Sequence, residues 1–70
     1  MGISYTKLWK MLIDKGMRKG QLREAAGISQ STMAKLANNQ NVTTDVLVKI
    51  CCALHCDIGD IAEVQHQHSL

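Results

Sequence analysis

Residues 19–38, KGQLREAAGISQSTMAKLAN, contain the pattern that decides the fold. Leu22, Ala25 and Ala26 are apolar at helical spacing, and Gly27 follows them directly. A glycine just past a helix end relieves the steric cost of left-handed backbone there. The first part of the stretch therefore predicts a short helix that ends in a tight turn.

A second short helix is predicted directly after this turn. Ser29 is a good N-cap, because its hydroxyl can accept a hydrogen bond from a free backbone N–H. The apolar residues then continue at i, i+3, and the predicted buried set is Leu22, Ala26, Ile28, Met33 and Leu36. Two short helices joined by such a turn form a helix-turn-helix, which places its second helix in the DNA major groove.

The outward face of the second helix carries small or hydrogen-bonding side chains. They are Gln30, Ser31, Ala34, Lys35 and Asn38. Such residues suit a helix that approaches base edges closely. The alternative interpretation of the same pattern is a helical hairpin in any small all-α domain.

Length and composition favour one small all-α domain of five short helices. The 70 residues allow at most one domain, 1–70, with a core over 5–64 and a frayed polar tail over 65–70. The chain has no Pro or Phe, one Trp and one Tyr, and its β-branched residues never alternate over a long run. We expect a core of Leu, Ile, Ala and Met.

The bounds of the five predicted helices follow from caps and apolar spacing. Ser4 or Thr6 caps a first helix that runs to about Lys15, and helices two and three span 19–26 and 30–37. The first helix has a predicted apolar stripe of Leu8, Trp9, Met11, Leu12 and Ile13. Thr43 or Thr44 caps helix four, which ends near 55–57 after core positions Val46, Leu47, Ile50, Cys51 and Leu54. Asp57 caps a fifth helix over 58–64.

The charge is distributed unevenly although the net charge is only +2. Seven of the eight Lys and Arg residues precede Asn38, whereas four of the six acidic residues follow it. This asymmetry would turn a basic face toward phosphates. Ordinary solvated charge on helix surfaces is the alternative explanation.

Several function classes are not supported by the sequence. No apolar run approaches the ~20 residues of a membrane span, and no signal peptide is evident, so we expect a cytoplasmic protein. Cys51, Cys52 and Cys56 are interpreted as thiols of a reduced protein, with Cys51 buried, rather than as ligands of a metal. Because no nucleophile, general base and orienting group occur together, the chain is not expected to be an enzyme.

From about Tyr5 to Val64 the chain resembles the Cro/repressor-like (Xre-type) helix-turn-helix domains, which have the lambda-repressor-like fold. The matching stretches are LWKMLIDKGM, QLREAAGISQSTMAKLANN and VLVKICCALHCDIGDI. The Ala-Gly-Ile-Ser turn followed by Ser-Thr-Met-Ala-Lys-Leu is the most specific local match. The resemblance covers nearly the whole chain.

The resemblance implies which residues would meet DNA. Helix three would be the recognition helix, with Gln30 and Ser31 at its start and Ala34, Lys35 and Asn38 further along its groove-facing side. Gln can pair with adenine, and Lys with guanine O6 and N7. The family implies phosphate contacts by Lys19, and backbone contacts near the loop by Asn39, Asn41, Thr43 and Thr44.

Two departures from the family pattern concern affinity. Arg23 stands where the family usually has a small residue that faces the partner helix. Its long side chain must therefore extend outward or lie at the rim of the contact between the two helices. The loop over 37–41 is uncharged, although the family often has basic or glycine residues there. Fewer neutralised phosphates should weaken binding and flatten its salt dependence.

The resemblance implies a sequence-specific, DNA-binding transcriptional regulator, and a repressor in particular. Two copies would associate through Ile58, Ile61 and Val64, with some help from helix four, and insert helix three into successive major grooves. We expect no cofactor, no metal and no small-molecule ligand. The alternative is a protein-interaction module, such as an antitoxin or adaptor, with the same fold.

Overall fold

Residues 2–66, the part of the chain that the computed structural model describes, form four α-helices, one 3-10 turn and a two-stranded sheet. The elements in chain order are β1 Gly2–Ser4, α1 Thr6–Lys15, α2 Lys19–Ala26, α3 Gln30–Ala37, α4 Thr44–Leu54, the 3-10 turn Ile58–Asp60, and β2 Glu63–Gln65. The predicted all-α class is confirmed, with helices in the predicted places for the first four. The small sheet was not predicted.

The core lies where α4 packs on α2, with α1 and α3 completing the enclosure. Its largest fully buried side chains are Tyr5, Leu8, Leu22, Leu36, Ile50 and Ile61. The predicted buried positions of α2, α3 and the turn between them are confirmed. Burial of these side chains, at about 25 cal/mol per Å² of apolar surface, is what stabilises helices too short to persist alone.

The start of α1 differs from the predicted side-chain cap. Tyr5 occupies the N-cap position and provides no side-chain cap bond. The Ser4 hydroxyl, which is buried, accepts the Thr6 N–H at 3.3 Å and lies 2.9 Å from the Thr6 hydroxyl. Gly16 ends the helix as expected, with left-handed backbone at φ 67°.

Tyr5 joins the start of the chain to the loop after α3. Its hydroxyl donates to the Gln40 carbonyl at 3.0 Å, and its N–H donates to the Asn39 Oδ1 at 3.2 Å. Burial raises the pKa of the Tyr5 phenol, which favours its neutral, donating form. Asn39 is one of two non-glycine residues with positive φ within 2–66, at 55°, and the Tyr5 N–H bond to its side chain supports that conformation.

The predicted fifth helix is wrong. Asp57 does act as a cap, because its Oδ1 accepts the Ile58 N–H at 2.8 Å, but the helical segment is only the 3-10 turn. Glu63–Gln65 then forms a strand that pairs antiparallel with Gly2–Ser4. The first turn of a helix is unfavourable to form, because several residues are fixed for a single hydrogen bond. Pairing with β1 instead provides hydrogen-bond partners for the backbone of residues 63–65.

Two further predictions, one for Ile13 and one for the C-terminal tail, are corrected. Ile13 is 77% exposed, although it was assigned to the apolar stripe of α1. Leu8 and Leu12 share the buried face at i, i+4, and the residue after Leu12 is rotated away from it. In the predicted tail, Gln65 belongs to β2, and residues 67–70 lie outside the described residues.

The three cysteines are free and sit in different environments. Cys51 is buried, Cys56 half-buried and Cys52 exposed. Burial raises the pKa of the Cys51 thiol to about 11, with the neighbouring Cys56 adding to the shift. Within residues 2–66 there is no group of three or more His, Cys, Asp or Glu side chains placed to hold a metal ion.

None of the helices described for residues 2–66 is long and apolar enough to cross a membrane.

Ile61 tests how the C-terminal segment contributes to stability. Because Ile61 is fully buried, Ile61→Ala should lower the free energy of unfolding by about 2–5 kcal/mol in urea denaturation. Ile13→Ala is the matched control and should change it by no more than about 0.5 kcal/mol. Equal effects of the two substitutions would contradict the described packing of residues 58–62.

The cysteine environments predict selective alkylation. A rise in pKa from 9.0 to about 11 leaves Cys51 with roughly a hundredth of the usual thiolate at neutral pH. Iodoacetamide should therefore label Cys52 well before Cys51, as followed by mass spectrometry of peptides. Comparable rates at the two thiols would contradict the burial of Cys51.

The same shift predicts a loss of stability in alkali. Because the folded-state pKa of Cys51 lies above the unfolded value, its contribution is complete below pH 9 and is lost as pH rises toward 11. Cys51→Ala should make the unfolding free energy less dependent on pH across that window.

Candidate nucleic-acid interface

The turn between α2 and α3 depends on the backbone of Gly27. Its φ is 68°, in the left-handed region, and its N–H donates to the Arg23 carbonyl at 2.9 Å. The Ile28 N–H donates to the same carbonyl at 3.1 Å, and the Ile28 side chain is buried. The predicted turn is confirmed, and it closes α2 while it turns the chain into α3.

Ser29 fixes the first turn of α3. Its Oγ accepts the Thr32 N–H at 3.2 Å, as predicted for an N-cap. The same oxygen lies 2.9 Å from the Thr32 hydroxyl and 3.0 Å from the Ser31 hydroxyl. The Ser31 side chain is therefore engaged locally, although it is exposed.

α3 buries one face and exposes the opposite one. Met33 and Leu36 are buried in the core. The exposed ridge on the other side, at helical spacing, consists of Ser31, Ala34, Lys35 and Asn38. These are four of the five predicted outward residues, and Gln30, also exposed, flanks the ridge.

A groove of about 230 Å³ lies between α2 and α3, and we call it the α2–α3 groove. It is lined by Lys19, Gly20, Arg23, Gln30, Met33, Ala34 and Ala37. The structure thus brings three predicted site residues together here. Both charged residues in this lining are cationic, so the groove is suited to an anion.

Arg23 lies at the rim of the fold. It is half-buried and lines the α2–α3 groove beside Gln30, so its guanidinium does not enter the core. Arg23 was left out of the predicted site set. An arginine at a position normally taken by a small residue was the available signal, since a long cation there can only extend along the surface.

A second groove, of about 290 Å³, lies on the other side of α3 and is called the α3–α4 groove. It is lined by Thr32, Lys35, Asn41, Val42, Thr43 and Val46. Lys35 is its charged member, and Asn41 and Thr43 are two more predicted site residues. The exposed ridge of α3 therefore stands between two grooves, each with at least one cation.

The remaining predicted site residues mostly bond within the fold. Asn38 Nδ2 donates to the Ala34 carbonyl at 2.9 Å, and Asn39 accepts from Tyr5 as described above. Thr43 Oγ1 accepts the Val46 N–H at 3.3 Å and so caps α4. Thr44 is exposed at the first position of α4.

Lys19, the first residue of α2, is exposed beside the α2–α3 groove. Its Nζ lies 4.6 Å from the centroid of the Trp9 ring. This is within the range of a cation–π interaction.

The electrostatics around α3 favour a negative ligand. Among residues 2–66 the one ion pair within 4.0 Å joins Lys49 to Asp45 on α4, at 3.3 Å. Lys19, Arg23 and Lys35 therefore have no carboxylate partner in the described part of the chain. Neither α2 nor α3 has an acidic residue in its first turn to offset the positive end of the helix dipole.

Comparisons with known proteins agree with this geometry. A sequence model described as the Cro/C1-type HTH DNA-binding domain matches residues 7–67. None of the curated proteins matches the chain significantly. A crystal structure of the transcriptional regulator VanUg is 60% identical, covers 89% of this chain and 83% of its own, and superposes with a TM-score of 0.86. The predicted resemblance is confirmed, and the chain belongs to the Cro/C1-type helix-turn-helix family of DNA-binding domains.

Proposed function

We propose that this protein is a sequence-specific transcriptional regulator, acting as a repressor, that inserts α3 into the DNA major groove. The observation that carries the proposal is the exposed ridge of α3 between two grooves with cations but no carboxylates in their linings. The family membership of the chain and its similarity to the transcriptional regulator VanUg support the same class of function.

Base contacts are assigned to the exposed side chains along α3. Gln30 and Lys35 carry the groups that can pair with adenine and guanine edges. Ala34, exposed between them, is small enough for the helix backbone to approach the groove floor. Ser31 and Asn38 share this face, but each side chain already makes a local hydrogen bond.

Phosphate contacts are assigned to the cations and polar groups at the margins. Lys19 and Arg23 lie on the α2 side, and Asn41 and Thr44 lie on the α4 side. The side chains of Asn39 and Thr43 serve the loop and the α4 cap, so we assign them a supporting role. Phosphate contacts of this kind set affinity and orientation, whereas base contacts set specificity.

A homodimer is part of the proposal, but its predicted surface is revised. Ile61 is fully buried in its own core and is not available to a partner. Ile58 and Val64 are 41% and 63% exposed, and Val48 on α4 is 50% exposed. We infer that Val48 and Ile58, which line one open groove at the end of α4, form the centre of the contact. Repression would follow from occlusion of a promoter.

DNA binding is tested first by selection of bound duplexes from a random pool, and then by fluorescence anisotropy on the selected site. The affinity should fall as the salt concentration rises, in proportion to the number of phosphates contacted, because bound phosphates release counterions. Lys35→Ala or Gln30→Ala should cost about 1–3 kcal/mol on the selected site and relax specificity there. Lys49→Ala is the matched control and should leave the affinity unchanged, since Lys49 pairs with Asp45 on α4.

A uniform loss for Lys35→Ala on all duplexes would reassign Lys35 to phosphate contact. No binding of any duplex at low salt would refute the proposal and favour the protein-interaction alternative.

The dimer predicts a symmetric site. Half-sites about 34 Å apart should emerge from the selection, one DNA turn between recognition helices. Ile58→Asp should yield a monomer by light scattering and weaken binding to the symmetric site, with Ile13→Asp as a control at a second exposed isoleucine, which is 77% exposed against 41% for Ile58. A wild-type monomer on DNA would contradict the dimer.

A further inference from the structure

The contact between Lys19 and Trp9 links the core to the α2–α3 groove. The Lys19 ammonium lies over the indole ring, 4.6 Å from its centroid. Trp9 is the single tryptophan of the chain, is half-buried on α1, and packs against the core. Lys19 lines the α2–α3 groove, so one lysine side chain spans from the ring to the groove.

The ring is held in place by the fold. Trp9 follows the fully buried Leu8 in α1, and its half-buried side chain packs against the core. Its ring forms one wall of an open groove of about 260 Å³, with Leu12 and Met17 as further apolar lining. The ring therefore offers a fixed, electron-rich surface beside the start of α2.

A lysine at the start of α2 is otherwise poorly supported. The positive end of the helix dipole repels it, and α2 has no acidic residue in its first turn. A free lysine side chain also loses considerable rotamer freedom when it binds. The ring opposes both effects, because its face attracts the ammonium and restricts where it lies.

The contact leaves the ammonium competent for a second partner. An ammonium has three N–H donors, and a ring face occupies only one side of it. A phosphate oxygen can therefore bind from the groove side while the ring remains below. Lys19 has no carboxylate within 4.0 Å among residues 2–66 that would compete.

We propose that Trp9 is a positioning residue for DNA binding: its ring holds the Lys19 ammonium at the edge of the α2–α3 groove, ready for a backbone phosphate. This inference rests on the proposed DNA-binding function. Trp9 itself touches no DNA in this scheme and acts through Lys19. Its effect is to reduce the entropy that the lysine loses on binding.

The proposal predicts that removal of the ring and removal of the lysine charge affect the salt dependence of DNA binding differently. Removal of the ring leaves the charge of Lys19 present, so the number of phosphates neutralised does not change. Removal of the charge reduces that number by one, which lowers the slope of log K against log salt by about 0.9. Loss of packing alone would lower the affinity equally with and without the Lys19 charge, whereas loss of the ring's action on Lys19 lowers it only where the charge is present.

The test uses the full chain and one selected duplex, titrated by anisotropy at several salt concentrations. Trp9→Leu should bind roughly three- to tenfold more weakly with an unchanged salt slope. Lys19→Met should lower both the affinity and the slope. The double variant should bind no more weakly than Lys19→Met alone, since the ring acts only through the lysine. Trp9→Phe should restore most of the affinity.

Fluorinated tryptophan provides a test without any change of packing. Because Trp9 is the single tryptophan, biosynthetic incorporation of mono- and trifluorotryptophan alters this ring alone and weakens its negative face. The affinity for the duplex should fall stepwise with fluorination, and the same series in Lys19→Met should show no trend. This arm also decides the question if Trp9→Leu fails to fold, as checked by circular dichroism.

Two results would overturn the inference while DNA binding stands. One is an affinity that does not respond to fluorination, and the other is an equal response in wild type and Lys19→Met. A wild-type protein that binds no duplex would instead refute the proposed function, and with it this inference.

Discussion

The left-handed backbone at Gly27 is the constraint on which the interface depends. With φ at 68°, the chain leaves α2 and enters α3 within three residues, in which Ile28 enters the core and Ser29 caps the next helix. The direction of α3 is thereby fixed by one backbone angle and one buried side chain. A side chain at position 27 would meet no steric obstacle, but the backbone conformation would be strained. The exposed ridge of α3 follows from this turn.

Sequence patterns predicted the four α-helices because their signals are local. A glycine at a helix end, a serine or threonine cap and a 3.6-residue stripe all act within a few residues. The structure of the segment 58–64 is not decided by local signals alone, because Glu63–Gln65 pairs with Gly2–Ser4 at the far end of the chain. A periodic apolar pattern could not distinguish this strand from a short helix.

The outward positions of α3 were predicted from the apolar pattern, and these residues are exposed in the structure. The limits of the prediction appear where a polar side chain bonds across the fold. Asn39 resembles a loop residue that is free for phosphate, yet it accepts from Tyr5, 34 residues earlier. Arg23 shows the reverse case, because an apparent misfit in α2 extends along the groove beside Gln30. The contact between Tyr5 and Asn39 has no local sequence signature, whereas the position of Arg23 in the family pattern did signal its place at the rim.

The pairing of β1 with β2 joins the two ends of the described chain. Gly2 lies opposite Gln65, so residues from the two ends of the described chain are paired across the sheet. Next to this sheet, Tyr5 is hydrogen-bonded to the loop after α3, and Ile61, two residues before β2, is buried in the core. Fraying from either end would therefore loosen both ends together and reach the loop after α3. Local order around α3 is in this way coupled to the integrity of a sheet only three residues long.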